Sequence, residues 1–138
     1  MTSGTTSKSA LPAALVVEDN TVLRFIAALT LQKLGYDVST AANGLVAVIE
    51  AQKKSFAVIL MDVQMPVMDG LECTRQIRNI EKFTGWHATV IGVSAAVAEN
   101  QCISAGMDSF IPKPLTMESL MTCLEIRENQ NQSGSGRR

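Results

Sequence analysis

Short apolar runs alternate along the chain with stretches in which apolar side chains recur every three or four residues. Period-two or continuous apolar runs of a few residues read as strands, and recurrence at i, i+3, i+4 and i+7 reads as a helix. On that basis Leu15–Val17 predicts the first strand, and a helix follows from about Thr21 to Leu34, with Val22, Phe25, Ile26 and Leu29 at helical spacing. Gly35 ends that helix as a C-terminal cap residue. A second strand covers Tyr36–Ala41, and Asn43-Gly44 opens a second helix that runs to about Lys53. Phe56–Met61 is the most apolar run, so it is expected at the centre of a sheet, covered on both faces. Three more helices are expected from about Leu71 to Ile80, Glu99 to Ala105 and Met117 to Glu128, the last with Met117, Leu120, Met121 and Leu124 at helical spacing. Between them lie strands at Thr89–Val93 and Ser109–Ile111, and Glu81–Ala88 reads as a longer connection containing Gly85.

Strict alternation of strand and helix implies a parallel sheet with right-handed crossovers and helices on both faces. The expected organisation is one α/β domain over residues 12–128, with flexible polar segments at 1–11 and 129–138. Both ends read as linkers, the first rich in Ser, Thr and Gly, and the C-terminal one also as a remnant of expression cloning.

Composition narrows the function classes. A length of 138 residues suits one domain with a real core, and 46% hydrophobic with 18% charged residues is ordinary for a globular protein. The net charge of -1 supplies no basic field, which argues against nucleic acid as a partner. No apolar run approaches the roughly 20 residues needed to span a membrane, and the N-terminus has no signal-peptide core. Cys73, Cys102 and Cys123 are odd in number and widely spaced, as expected of reduced thiols, so a cytoplasmic location is expected.

The chemistry gathers at strand ends. Val16-Val17 runs into Glu18-Asp19, the central strand runs into Asp62, Val93 runs into Ser94, and Lys113-Pro114 follows the fifth strand. In a parallel sheet all strand C-termini share one edge, so these groups converge although they are distant in sequence. Three acids and one lysine give the pocket a formal charge of -2, which is unfavourable in a low-dielectric cleft. A divalent cation offsets it, and hard oxygen ligands with no His or Cys nearby select magnesium, or manganese, over zinc. The backbone carbonyl of Gln64 is a candidate further ligand. With a cation present, Asp62 can act as a carboxylate nucleophile toward a phosphoryl donor. Ser94 would then donate to one phosphoryl oxygen and Lys113 would neutralise another.

Glu18-Asp19, Asp62 with the following MPVMDG, Ser94-Ala95, and Phe110 followed by Lys113-Pro114 together resemble a response-regulator receiver domain of two-component signalling, over about residues 13–127. The MDVQMPVMDG wording is most similar to receivers of hybrid sensor histidine kinases. The resemblance implies a flavodoxin-like (βα)5 fold with sheet order 2-1-3-4-5. It also implies magnesium on Asp19 and Asp62, with Glu18 acting partly through bound water, and a cis peptide before Pro114. Implied partners are a histidine kinase or a histidine phosphotransfer domain as phosphoryl donor. Ser94 and Phe110 take the positions of the family's switch pair, which acts on the face made by helix four, strand five and helix five. Ser stands there in place of the commoner Thr, and Phe in place of the commoner Tyr. Gln64 and Ala96 occupy positions that resemble the family's lifetime-tuning sites.

Rival chemistries each lack a part. Gly92–Ala96 resembles a hydrolase nucleophile elbow, but no His follows Ser94. An aspartyl-phosphate phosphatase wants an acid two residues after its nucleophile, where Gln64 stands. A nucleotide-binding fold wants a glycine-rich cradle after strand one, where Glu-Asp-Asn stands. The remaining alternatives are a stand-alone single-domain regulator and a docking module that is not phosphorylated. His87 reads as an incidental loop residue.

Overall fold

The computed structural model describes residues 11–95 and 99–125. Five parallel strands form one sheet in the order β2-β1-β3-β4-β5: β1 (Ala13–Val17), β2 (Asp37–Ala41), β3 (Val58–Asp62), β4 (Thr89–Ser94) and β5 (Ser109–Pro112). Between them run α1 (Thr21–Lys33), α2 (Gly44–Lys53), α3 (Gly70–Thr84) and α4 (Glu99–Ser104), and residues 117–125 form α5. The expected last turn of α5, to Glu128, lies outside the described residues.

The apolar runs fall where full burial demands them. Every residue of β3 is buried, as expected of the middle strand. Alternate residues of the strands feed two cores. Leu15, Val17, Ile59, Met61 and Val90 pack with Ala47 of α2, Cys73 and Ile77 of α3 and Cys102 of α4. Ala14, Val16, Leu60, Ile91, Val93 and Ile111 pack with Ala27 and Leu31 of α1 and Leu120 of α5. The sheet is therefore the middle layer of three.

Local chemistry sets the helix ends. The side chains of Asn20, Asn43 and Asp69 accept hydrogen bonds from Leu23 N, Val46 N and Glu72 N, each satisfying one orphan amide of a first turn. Asn20, one residue after the acid pair, does the capping, so Asp19 is not spent on that role. Helix α3 runs beyond the expected stop at Ile80 to Thr84, because the chain keeps helical geometry until Gly85 turns it with φ 76°.

The stripe Val22, Phe25, Ile26 and Leu29 marks α1 but does not bury it: these side chains are 64, 63, 51 and 39% exposed. The inward face is Ala27 and Leu31. Ala27 and Leu31 pack with Ala14 and Val16 of β1, and the stripe residues lie outside.

At the opposite edge of the sheet from the strand C-termini, Arg78 of α3 fastens three segments. Its guanidinium donates to the carbonyls of Gly106 and Ala88, to Glu81 Oε1 at 2.7 Å and to Asp108 Oδ2 at 2.7 Å. Asp108 also accepts from Val90 N, and its other oxygen lies 3.0 Å from His87 Nε2. His87 is thus part of a charged network rather than incidental. Burial by itself pushes the Asp108 carboxyl up. The His87 hydrogen bond, the Val90 amide and the Arg78 charge outweigh it and hold the group below the usual carboxylate range. Near the same edge Trp86 donates from its indole N–H to Phe56 O at 2.8 Å.

Candidate functional site

The sheet register carries the site. Val17 pairs with Met61, Asp62 with Val93, and Ser94 with Pro112, so the residues after each pairing leave the sheet together at one edge. Glu18, Asp19 and Asp62 each bring one carboxylate oxygen within 4.8 Å of the others. Asp62 is 3% exposed and Glu18 is 9% exposed. Lys113 Nζ lies 3.2 Å from Asp62 Oδ1, and the amide of Gln64 donates to the same oxygen at 3.2 Å. Ser94, 1% exposed, donates from Oγ to the Gln64 side-chain Oε1 at 3.2 Å. Its carbonyl accepts from Lys113 N at 3.0 Å, which ties the end of β4 to the lysine. The Lys113–Pro114 peptide is cis.

Several residues hold these groups in place. The Glu18 amide donates to Ala41 O, and Glu18 Oε2 accepts from Asn20 N at 3.0 Å. Arg24, one turn into α1, donates to the carbonyls of Glu18 at 2.9 Å and Asp19 at 3.4 Å. Gly70 lets α3 begin against the end of β3: a Cβ there would sit 2.4 Å from Asp62 O and 2.8 Å from Val63 Cα. In the loop between them Met68 N donates to Pro66 O at 2.8 Å across Val67, whose φ is 73°. A β-branched residue in that region carries backbone strain, here in the loop that follows Asp62.

The electrostatics favour a cation. Burial pushes the Glu18 carboxyl up, the Asn20 amide opposes it, Asp62 raises it further and Lys113 lowers it, and the result is about 7. Two carboxylates facing each other with one lysine leave negative charge to be compensated, and only oxygen donors are offered. The donor set fits magnesium.

Phe110 sits beside Gly92 in the β4–β5 register, partly buried against the core on the side where α2, α3 and α4 pack. Gly92 leaves room there for Met107, whose Sδ would be 2.4 Å from a Cβ at that position. Beside the acids a cleft of about 360 Å³ opens between α1 and the residues after β5, lined by Leu23, Ile26, Val93, Pro114 and Leu115 as well as Asp62 and Lys113.

Glu18, Asp19, Asp62, Gln64, Ser94 and Lys113 therefore lie together at one edge of the sheet, while Phe110, partly buried, packs against the core. Arg24, the Gln64 side-chain contact and the exposed α1 face were missed. A basic residue one turn after an acidic strand end was the available signal for Arg24; the other two depend on side-chain directions that spacing does not give.

Residues 14–125 match the response regulator receiver domain model. The chain is 34% identical to Histidine kinase 5 of Arabidopsis thaliana over 141 residues, covering 83% of the chain and 15% of that relative. The chain thus spans a small fraction of the curated relatives it matches. Among solved structures it resembles the receiver domain of a sensor histidine kinase from Pseudomonas aeruginosa with a magnesium ion in its active-site cleft. That likeness has a TM-score of 0.74 at 33% identity, over 83% of this chain and 95% of that one. It also resembles the co-crystal of the Saccharomyces cerevisiae histidine phosphotransfer protein Ypd1 with the receiver domain of Ssk1, with a TM-score of 0.73 at 27% identity, over 80% and 84% of the two chains. With its fold, its sheet order and this match over most of its length, the chain belongs to the response regulator receiver domain family.

Proposed function

We propose that Asp62 accepts a phosphoryl group from a phosphohistidine and that residues 12–128 act as one receiver unit. The observation that carries this reading is a buried carboxylate with a lysine at 3.2 Å and two further acids within 4.8 Å. In the reaction an Asp62 oxygen attacks phosphorus, the bond from phosphorus to the donor imidazole nitrogen breaks, and an acyl phosphate remains. Glu18, Asp19 and Asp62, with the Gln64 carbonyl, would hold magnesium or manganese, which when bound supplies charge neutralisation for the phosphoryl oxygens. Lys113 moves from the carboxylate to a phosphoryl oxygen, and the Ser94 hydroxyl turns to another. Phe110 follows into the space near β4, which carries the change to the face of α4, β5 and α5.

Donor docking falls on α1. A protein that presents its histidine to Asp62 must cover the neighbouring surface, and there Val22, Phe25 and Ile26 are exposed beside the apolar cleft. A histidine kinase or a histidine phosphotransfer domain fits that role, as the likeness to a receiver solved with a phosphotransfer protein supports. The domain is a cytoplasmic signalling module with no turnover on a separate substrate, set in or working with a hybrid histidine kinase.

The test is intact mass after incubation with a small-molecule phosphodonor, with and without magnesium. One phosphoryl adduct is expected, dependent on magnesium and missing from Asp62→Asn. An adduct that persists in Asp62→Asn would remove Asp62 from its role.

A further inference from the structure

We infer that Gln64 is a positioning residue whose side chain holds the Ser94 hydroxyl proton away from Asp62 until a phosphoryl group arrives. This rests on the reading of Asp62 as phosphoacceptor and adds a competitor for the hydroxyl that the reading itself does not contain. Ser94 Oγ donates to Gln64 Oε1 at 3.2 Å, while the backbone amide of the same Gln64 donates to Asp62 Oδ1 at 3.2 Å. One residue therefore grips both partners of the future contact, the acid through its main chain and the hydroxyl through its side chain.

A serine hydroxyl has a single proton to donate. While that proton is committed to the Gln64 amide oxygen, it cannot also reach a phosphoryl oxygen on Asp62. Forming the phosphorylated arrangement breaks the Ser94–Gln64 bond first. Ser94 is 1% exposed, so water is a poor substitute partner for its hydroxyl, whereas Gln64 is exposed and its amide oxygen can be rehydrated once released. The exchange is therefore feasible, and its cost is the strength of one neutral hydrogen bond. Gln64 so biases the domain toward the unphosphorylated arrangement, and the length of its side chain sets the bias.

Gln64→Met isolates the effect. Methionine keeps the length and the backbone groups, including the amide to Asp62, and removes the amide oxygen. Beryllofluoride with magnesium, titrated by calorimetry, serves as the phosphoryl mimic. Binding to Gln64→Met should be about fivefold tighter than to the wild-type chain, which corresponds to about 1 kcal/mol for a neutral hydrogen bond. In a Ser94→Ala background the same substitution should change affinity by less than about twofold, because no hydroxyl is left to release. Unchanged or weaker binding in Gln64→Met overturns the inference, as does an equal gain in both backgrounds. If the wild-type chain fails to bind beryllofluoride at all, the role of Asp62 fails and this inference falls with it.

Discussion

Arg78 and Asp108 are the pair on which single-residue energetics turn. Both side chains are largely buried, at 16 and 14% exposure, and each is hydrogen-bonded on several sides. Removing Asp108 leaves the buried Arg78 with Glu81 as its remaining counter-ion, so the loss belongs at the low end for such pairs, about 3 kcal/mol. Because the folded Asp108 carboxyl lies below its unfolded value, its stabilisation is fully present above the ordinary carboxylate pKa near ~4 and is lost as pH falls through the folded pKa. Arg78, Glu81 and His87 are the charged or titratable groups around it, so His87→Gln is the cleaner background. Urea unfolding at pH 7 should show Asp108→Asn about 3 kcal/mol less stable than its parent, with the gap narrowing below pH ~4. A gap that stays constant down to pH ~3 would mean that Asp108 contributes by shape rather than charge. Buried Cys73 adds nothing to this chemistry: burial, then Asp69 and Glu72, push its thiol up to about 12.

Among the elements α1 carries the most information, because its two faces do different work. Ala27 and Leu31 hold it to the sheet, and Phe25, 63% exposed, holds nothing in the described residues' core. Phe25→Ala should leave stability within about 0.5 kcal/mol. It should slow phosphotransfer from a phosphohistidine protein about tenfold, as loss of an interface anchor does. Labelling by a small-molecule phosphodonor should be unaffected; equal slowing with both donors would place the effect in the site instead of in docking. The same helix shows where sequence periodicity stops being informative. Spacing identifies a helix over Thr21–Lys33, but an apolar stripe shared between a core and an exposed face does not say which part turns inward. Strand ends behaved differently. Each chemical residue follows a buried run that can sit in the sheet in only one way, so Glu18, Asp62, Ser94 and Lys113 were legible from order alone. The Arg78 network was not, because its partners come from two connections, before β4 and before β5, whose meeting depends on tertiary packing.

At the scale of the whole molecule, the parallel sheet separates two populations of polar groups. Acids, hydroxyl and lysine lie at the C-terminal edge of the strands, and the Arg78 cluster and Trp86 lie near the other edge. Trp86 is the sole tryptophan, and its indole is tied to the Phe56 carbonyl, before β3 begins. At about 3.3 Å per strand residue, that places it roughly 20 Å from the carboxylate end of the same strand. Its emission is therefore a private channel for the folding equilibrium. Magnesium or a phosphoryl mimic should leave the intensity and peak position unchanged, while urea shifts both in one cooperative step. A change in emission on adding magnesium alone would mean that the two edges communicate. With the channels separate, one sample can report how much protein is folded by light and how much of its acid is modified by mass, without either reading contaminating the other.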